Sequence, residues 1–212
     1  MPPSRPSPRS TPYPFASRMV APTDLLWALV GLVLTIGGTF LQAFVINPPW
    51  AWGQDGLQPH GLGVSFQIGA VFLTACLGGR NAATISQIAY LLLGLSWFNI
   101  FTQGGGIDYV HQPSFGYLLG FIPGAWICGY WAFRLPVRLE SLAFSCMCGL
   151  LTVHLVGVSY LAIASHWRWL VNPDAPLFQL IFAYSISPLL GQLVVACAVT
   201  VVSFLLRHLM FY

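Results

Sequence analysis

The chain has no lysine, and its complement of ionisable side chains is small: eight basic residues, all arginine, and five acidic ones among 212. Without lysine there is neither a Walker A loop to hold nucleotide phosphates nor a Schiff-base amine, so a P-loop ATPase and a lysine-dependent imine enzyme are both excluded. HExxH and GxSxG are missing too, which removes zinc-protease and nucleophile-elbow chemistry. Charged residues make up 6% of the chain, where a soluble domain carries about a quarter. Hydrophobic residues make up 57%. Such a chain is expected to be a multi-pass integral membrane protein of the cell membrane, not an enzyme. Its net charge of +3 is too thinly spread for the dense basic patch that nucleic acid requires, so no nucleic-acid partner is expected.

The five cysteines, Cys76, Cys128, Cys146, Cys148 and Cys197, all fall in apolar runs, where a free thiol behaves as a small hydrophobe. No disulfide framework is implied. Cys146 and Cys148 have no histidine or second cysteine pair at ligand spacing, so no metal and no cofactor are expected. His154 and His208 are likewise without a partner at ligand spacing and receive no role.

Spanning a bilayer takes about 20 helical residues. Six segments qualify, near Asp24 to Ile46, Leu62 to Leu77, Ala82 to Phe101, Phe115 to Phe133, Leu139 to Ser165 and Leu177 to Arg207. Arginine position orients them, because cytoplasmic loops carry the excess of basic residues. With the N-terminus inside, Arg5, Arg9, Arg18, Arg80, Arg134, Arg138 and Arg207 are cytoplasmic and Arg168 alone is outside. The expected fold is therefore an all-α bundle of six transmembrane helices with both termini cytoplasmic. Residues 1–21, rich in Pro, Ser and Arg, read as a disordered cytoplasmic tail, with an organelle transit peptide as the alternative. Residues 22–212 form the membrane domain.

Polar side chains inside a membrane mark cavities or helix contacts. Gln42, Gln67, Asn99, Tyr117 and Tyr184 lie near the outer ends of their spans, where they can converge. Gln87, Tyr90 and Gly94 share one face of the third span; Gln87 sits too far inward for an outward site and suits helix-to-helix bonding, whereas Asn99 is the better ligand candidate. Trp97, Phe98, Phe101, Phe115 and Tyr117 flank the loop 102–114 and offer an apolar wall, although aromatics also collect at membrane interfaces. Gly104, Gly105 and Gly106 allow positive φ and close backbone approach to a ligand, as in a lid; an ordinary turn needs fewer glycines. Asp108 and His111 read as solvated loop residues. On the first span Ala28, Gly31, Thr35 and Thr39 form a small-residue stripe that packs either within the chain or against a partner helix.

The set Gly78-Gly79-Arg80, Tyr90-Leu91-Leu92-Leu93-Gly94-Leu95, Gly104-Gly105-Gly106 and Pro113-Ser114-Phe115-Gly116-Tyr117-Leu118-Leu119-Gly120-Phe121, in this order and spacing, resembles the BioY family. That family comprises the biotin-binding S components of energy-coupling factor (ECF) vitamin importers. The resemblance implies capture of biotin from outside and its delivery to the cytoplasm, with a coupling transmembrane subunit and ATP-binding subunits as partners. It implies substrate contact by Asn99, Gly104, Gly105, Tyr117, Tyr184 and Gln192, and docking of the coupling subunit on Ala28, Gly31 and Thr35. The sequence departs from the family in the sixth span. Many members carry Asp-x-x-Lys there, and this chain has Gln192 and Val195. An S component for another small heterocyclic vitamin and a non-transporting membrane scaffold are the alternatives.

Overall fold

The computed structural model describes residues 21–51, 56, 58–96 and 98–211. Most of the expected N-terminal tail, residues 1–20, and the aromatic Trp97 lie outside the described residues. Helix α1 (Pro22–Phe40) starts where Pro22 takes a first-turn position and Asp24 Oδ2 accepts the Ala21 N–H at 3.3 Å, a carboxylate at the positive end of the helix dipole. Its lipid-suited face is Leu25, Leu26, Leu29 and Val33, all exposed, while Gly31, Thr35 and Thr39 turn inward.

The chain then departs from the purely helical expectation. Residues 42–46 and 62–65, assigned above to the ends of the first two spans, are strands. β1 (Gln42–Ile46) pairs antiparallel with β2 (Pro59–Ser65), with Phe44 opposite Gly61, Val45 opposite His60 and Ile46 opposite Pro59. Apolar run length cannot separate a strand from a helix end, and the β-branched Val45 and Ile46 favour the pleated form. The Phe66 N–H donates to Leu41 O at 2.9 Å, so the hairpin sits directly on the ends of its two flanking helices.

Helix α2 (Gln67–Ser96) is folded back on itself at Gly79, whose φ of 82° and ψ of 176° are far from helical. Gln67 Nε2 donates to Tyr90 Oη at 3.0 Å. In an unbroken helix those residues would be roughly 34 Å apart at 1.5 Å per residue, so the contact requires reversal. Only glycine populates that corner of φ/ψ space without strain. The expected pair of spans on either side of Arg80 thus corresponds to residues 67–78 and 80–96. The α2 hydropathy window is 61% buried, against 28–33% for the other long apolar helices, which makes α2 the centre of the bundle.

Helices α3 (Phe115–Arg134) and α4 (Leu139–His166) form an antiparallel pair joined by a short turn at 135–138. They approach closely because Gly120 and Gly124 of α3 face Val153 and Gly149 of α4, and a Cβ on Gly120 would lie 2.8 Å from Val153 O. The last helix, α5, runs from Leu177–Ile181 through a π-helical turn, Phe182–Ile186, into Ser187–Phe211. The π turn immediately precedes Pro188, which has no N–H to continue the ladder. Among the described residues, four helices are long and apolar enough to cross a membrane: α1, α2, α4 and α5. One end of the bundle carries the hairpin and the loops 98–114 and 167–176. The other collects Asp24, Gly79, Arg80, Arg134 and Arg207.

Candidate functional site

At the hairpin end a cavity of ≈ 280 Å³ opens between β2, the loop 102–114 and helices α2 to α5. Its size is near the lower bound of about 300 Å³ for small-molecule sites. Polar lining comes from Ser65, Gln67, Thr102, Gln103, Tyr109, Ser114, Tyr117, Tyr184 and Gln192, and apolar lining from Val64, Ile68, Leu118, Phe121, Val153, Ala183 and Pro188. No charged side chain is among them.

The roof is built on Tyr90. Its hydroxyl accepts from Gln67 Nε2, donates to Ile100 O at 3.0 Å and lies 3.1 Å from Thr39 Oγ1. One buried phenol therefore joins α1, both halves of α2 and the start of the loop. Phe101 is 1% exposed and fits between Tyr90, edge-on at 5.3 Å, and Tyr109, at 4.6 Å. Gly94 makes room for the Phe101 ring, since a Cβ there would overlap it. Phe101 and Gly104 exchange backbone bonds of 3.0 and 3.1 Å, and the Gly106 N–H reaches Gly94 O at 2.7 Å. Gly104 and Gly106 adopt φ of 116° and 89°, values that favour glycine. Gly105 lies so close to the Phe98 and Gly94 carbonyls that a side chain would collide with backbone. The glycines thus fold the loop tightly down onto α2. Tyr109 continues inward, sharing a 3.0 Å bond with Ser114 Oγ, and burial pushes its phenol above the ordinary tyrosine value. Tyr160 donates to Val110 O and the Val171 N–H to His111 O, so both flanking loops are fastened to one another and to α4.

The side wall is a relay between three helices. Tyr117 on α3 shares a 2.5 Å bond with Ser185 of the π turn, stacks on Tyr184 at 6.3 Å and meets the His154 ring edge-on at 5.8 Å. His154 Nε2 donates to Gln192 Oε1 at 2.7 Å. With its carbonyl so engaged, Gln192 has its NH₂ available to the cavity as a donor. Gln67, whose NH₂ goes to Tyr90, presents its carbonyl as an acceptor. Gly157 lets Tyr117 approach α4, because any Cβ there would meet the phenol ring.

Of the six expected substrate contacts, Tyr117, Tyr184 and Gln192 line the cavity. Asn99 is exposed and is not among the lining residues, and Gly104 and Gly105 act on the loop's backbone from outside the lining. Gln87 bonds Thr35 Oγ1 at 3.1 Å, helix to helix. Val195 is buried against Gly69 of α2, so its position points away from the cavity. Ala28, Gly31 and Thr35 are buried too, with Gly31 against Thr74 and Ser86. That stripe packs within the chain. Arg168 is paired with Asp174 at 2.9 Å on the exposed surface. Sequence reasoning passed over Ser65, Thr102, Gln103, Tyr109 and Ser114, and it assigned no role to His154. The Tyr109 and Ser114 pair had a signal in an aromatic beside the glycines and a serine opening the next helix. Ser65 had none, because its strand was read as helix.

In a multi-pass helical membrane protein, a concave pocket with aromatic and apolar walls and a few polar groups has the form of a small-molecule site. A family profile described as the BioY family matches residues 16–211. The chain is 32% identical over 133 residues to the "Biotin transporter BioY" of Thermotoga maritima, covering 61% of this chain and 73% of that protein. It is 40% identical over 126 residues to the "Probable biotin transporter BioY" of Lysinibacillus sphaericus, covering 58% of this chain and 63% of that protein's length. The fold is similar to the crystal structure of the S-component for biotin from an ECF-type ABC transporter, with a TM-score of 0.65 and 21% identity over 87% of this chain and 90% of that one. The chain belongs to the BioY family.

Proposed function

We propose that the chain is the substrate-capture subunit of an ECF-type importer, binding biotin from outside the cell membrane and delivering it inward when coupled to ATP-hydrolysing partners. The observation that carries the reading is the polarity of the roofed cavity. A ureido ring presents one carbonyl acceptor and two N–H donors. Gln192 NH₂ supplies a donor, Gln67 Oε1 an acceptor, and Tyr184 and Gln103 can serve as either. Phe121, Leu118, Val153 and the Tyr117 face receive the thioether ring and chain. The carboxylate then meets neutral hydroxyl and amide donors of the rim, Thr102 and Ser114 among them.

In this reading the reversal of α2 at Gly79 makes six spans, with both termini cytoplasmic on the arginine distribution. The membrane domain is residues 22–212 and the tail 1–21 is cytoplasmic. The hairpin and the loop 102–114, with Gly104 and Gly105 shaping it, act as the lid of an outward site. Energy comes from ATP-binding subunits, because this chain has no nucleotide loop and carries out no covalent chemistry. The coupling subunit meets the exposed Leu25, Leu26, Leu29 and Val33 face of α1, the inward stripe of Ala28, Gly31 and Thr35 holding that face in position. One observation favours a second reading: among the described residues the cavity lining carries no cation for a carboxylate, and an uncharged heterocyclic vitamin fits as well.

The test is calorimetric titration of detergent-purified, ligand-free protein with biotin. The parent binds, Gln192→Leu binds at least tenfold more weakly, and Asn99→Ala is unchanged. A parent that takes up a different vitamin in preference overturns biotin as the ligand; one that binds no vitamin overturns the capture role.

A further inference from the structure

Three cysteines far apart in sequence meet in the interior, near the Gly79 end and away from the cavity. Cys76 Sγ of α2 lies 3.9 Å from Cys128 Sγ of α3 and 3.8 Å from Cys146 Sγ of α4, and all three sulfurs are within 4.8 Å of one another. None is more than 1% exposed. Three thiolates in a plane around a metal at about 2.3 Å stand √3 times that distance apart, about 4.0 Å. Packed neutral thiols reach similar separations, so spacing alone does not decide between them.

The polar groups beside the sulfurs do. Ser203 of α5 is fully buried with its Oγ beside the Cys76 thiol, and no other hydrogen-bond partner meets that oxygen. Arg207, one turn further along, is 4% exposed; Nη1 donates to Ala132 O at 2.8 Å and the guanidinium covers the Phe133 ring at 4.1 Å, yet Nε has no partner. Its charge reaches both Cys76 and Cys128. A cation buried beside neutral thiols is uncompensated, which is costly in a low-dielectric interior. A soft monovalent ion held by two thiolates and one thiol has net charge −1, and Arg207 balances it. A divalent zinc ion would want four ligands, and no histidine or carboxylate joins the cluster among the described residues.

We propose that Cys76, Cys128 and Cys146 form a buried three-sulfur site for a soft monovalent cation of the Cu(I) type, with Arg207 as counter-charge. Two thiol protons leave to solvent as the ion enters, and no electron is transferred. The sequence expectation of packed thiols looked for ligand spacing along the chain, whereas these three sulfurs come one from each of three helices.

The experiment uses full-length protein in detergent with Cys148→Ser and Cys197→Ser, leaving the three cluster thiols. Cu(I) is titrated anaerobically against a chromogenic chelator. One equivalent per chain is retained, and X-ray absorption gives a shell of three sulfurs at about 2.3 Å. Adding Cys128→Ser lowers retention at least tenfold, and Arg207→Gln weakens it. The proposal is overturned if the chelator keeps the copper, if Cys128→Ser retains it equally, or if the shell is nitrogen and oxygen. The absorption measurement is made on the intact cluster, so it decides the matter even where a core variant fails to fold. Biotin binding reads out at the hairpin end of the bundle, away from the Gly79 reversal beside which the cysteines lie, so loss of either proposal leaves the other standing.

Discussion

Replacing Tyr90 by Phe removes one oxygen and nothing else from the node that ties the hairpin end together. The ring keeps its edge-on contact with Phe101 at 5.3 Å, so packing is preserved. Thr39 retains its 2.8 Å bond to Thr35 O and is not orphaned. Two groups are: Gln67 Nε2 loses its acceptor and Ile100 O its donor. An unsatisfied buried polar group costs about 1–3 kcal/mol, and Gln67 borders the cavity, where water can relieve part of that. The sum is therefore roughly 2–4 kcal/mol. At about 2–4 °C per kcal/mol for a chain this long, the expected drop in Tm is roughly 4–16 °C. Thermal unfolding of the ligand-free protein in one detergent, followed by size-exclusion of heated samples, measures it. With Ile100 released, the loop opens more readily, and ligand dissociation should quicken more than association slows. A Tyr90→Phe protein that unfolds within a degree of the parent and holds ligand equally long would refute the hydroxyl's place at this node.

Further expectations follow from single contacts. Gly79→Ala forces a Cβ into a region of φ/ψ space that is essentially glycine's own and should cost about 1–3 kcal/mol, seen as a lower Tm with ligand affinity little changed. Gly120→Ala places a Cβ 2.8 Å from Val153 O and 3.0 Å from Val153 Cα, so α3 and α4 must separate; a loss of about 1–3 kcal/mol in the same assay is expected. Burial raises the Tyr109 phenol, so its contribution is constant below about pH 10, where the unfolded chain keeps its proton, and is lost above it. Tyr109→Phe should accordingly flatten part of the fall in Tm between pH 9 and 11. Arg168→Ala breaks only an exposed pair and should leave both Tm and ligand affinity unchanged within error.

What the sequence made legible was set by period and composition. The helices 115–134, 139–166 and 177–211 begin and end within a few residues of their hydropathy limits, and Gly78-Gly79-Arg80 marked a turn that the backbone makes at Gly79. The hairpin was hidden, because Gln42–Ile46 and residues 62–65 continue the apolar runs of their neighbours and hydropathy does not distinguish a pleat from a helix. For the candidate site, position at the spans' ends picked out tyrosines and glutamines, of which Tyr117, Tyr184 and Gln192 line one cavity. Asn99 looked equivalent by position along the chain. It follows the end of α2 at Ser96, and a residue beyond a helix end no longer inherits the direction of the helical face on which the argument rested. The His154 to Gln192 bond and the three-cysteine cluster join residues on different helices, which no single-chain spacing can encode.

The π turn at Phe182–Ile186 has a consequence for how this wall tolerates change in length. It holds one residue more than the α-helical turn it replaces, and Tyr184 and Ser185 lie on it while Pro188 and Gln192 lie beyond it. Deleting Ile186 would remove that extra residue and let the turn close as regular α-helix. Because a π turn absorbs one added residue without turning the helices on either side, Leu177–Ile181 and Ser187–Phe211 would keep their facing, and Tyr184 would stand seven residues, about two turns, from Gln192. What would change is the widened turn itself, whose backbone sets how far Tyr184 and Ser185 reach toward Tyr117. The extra residue thus tunes the reach of one wall without moving its frame, and relatives that lack it should keep the cavity and differ in the fit at Tyr117.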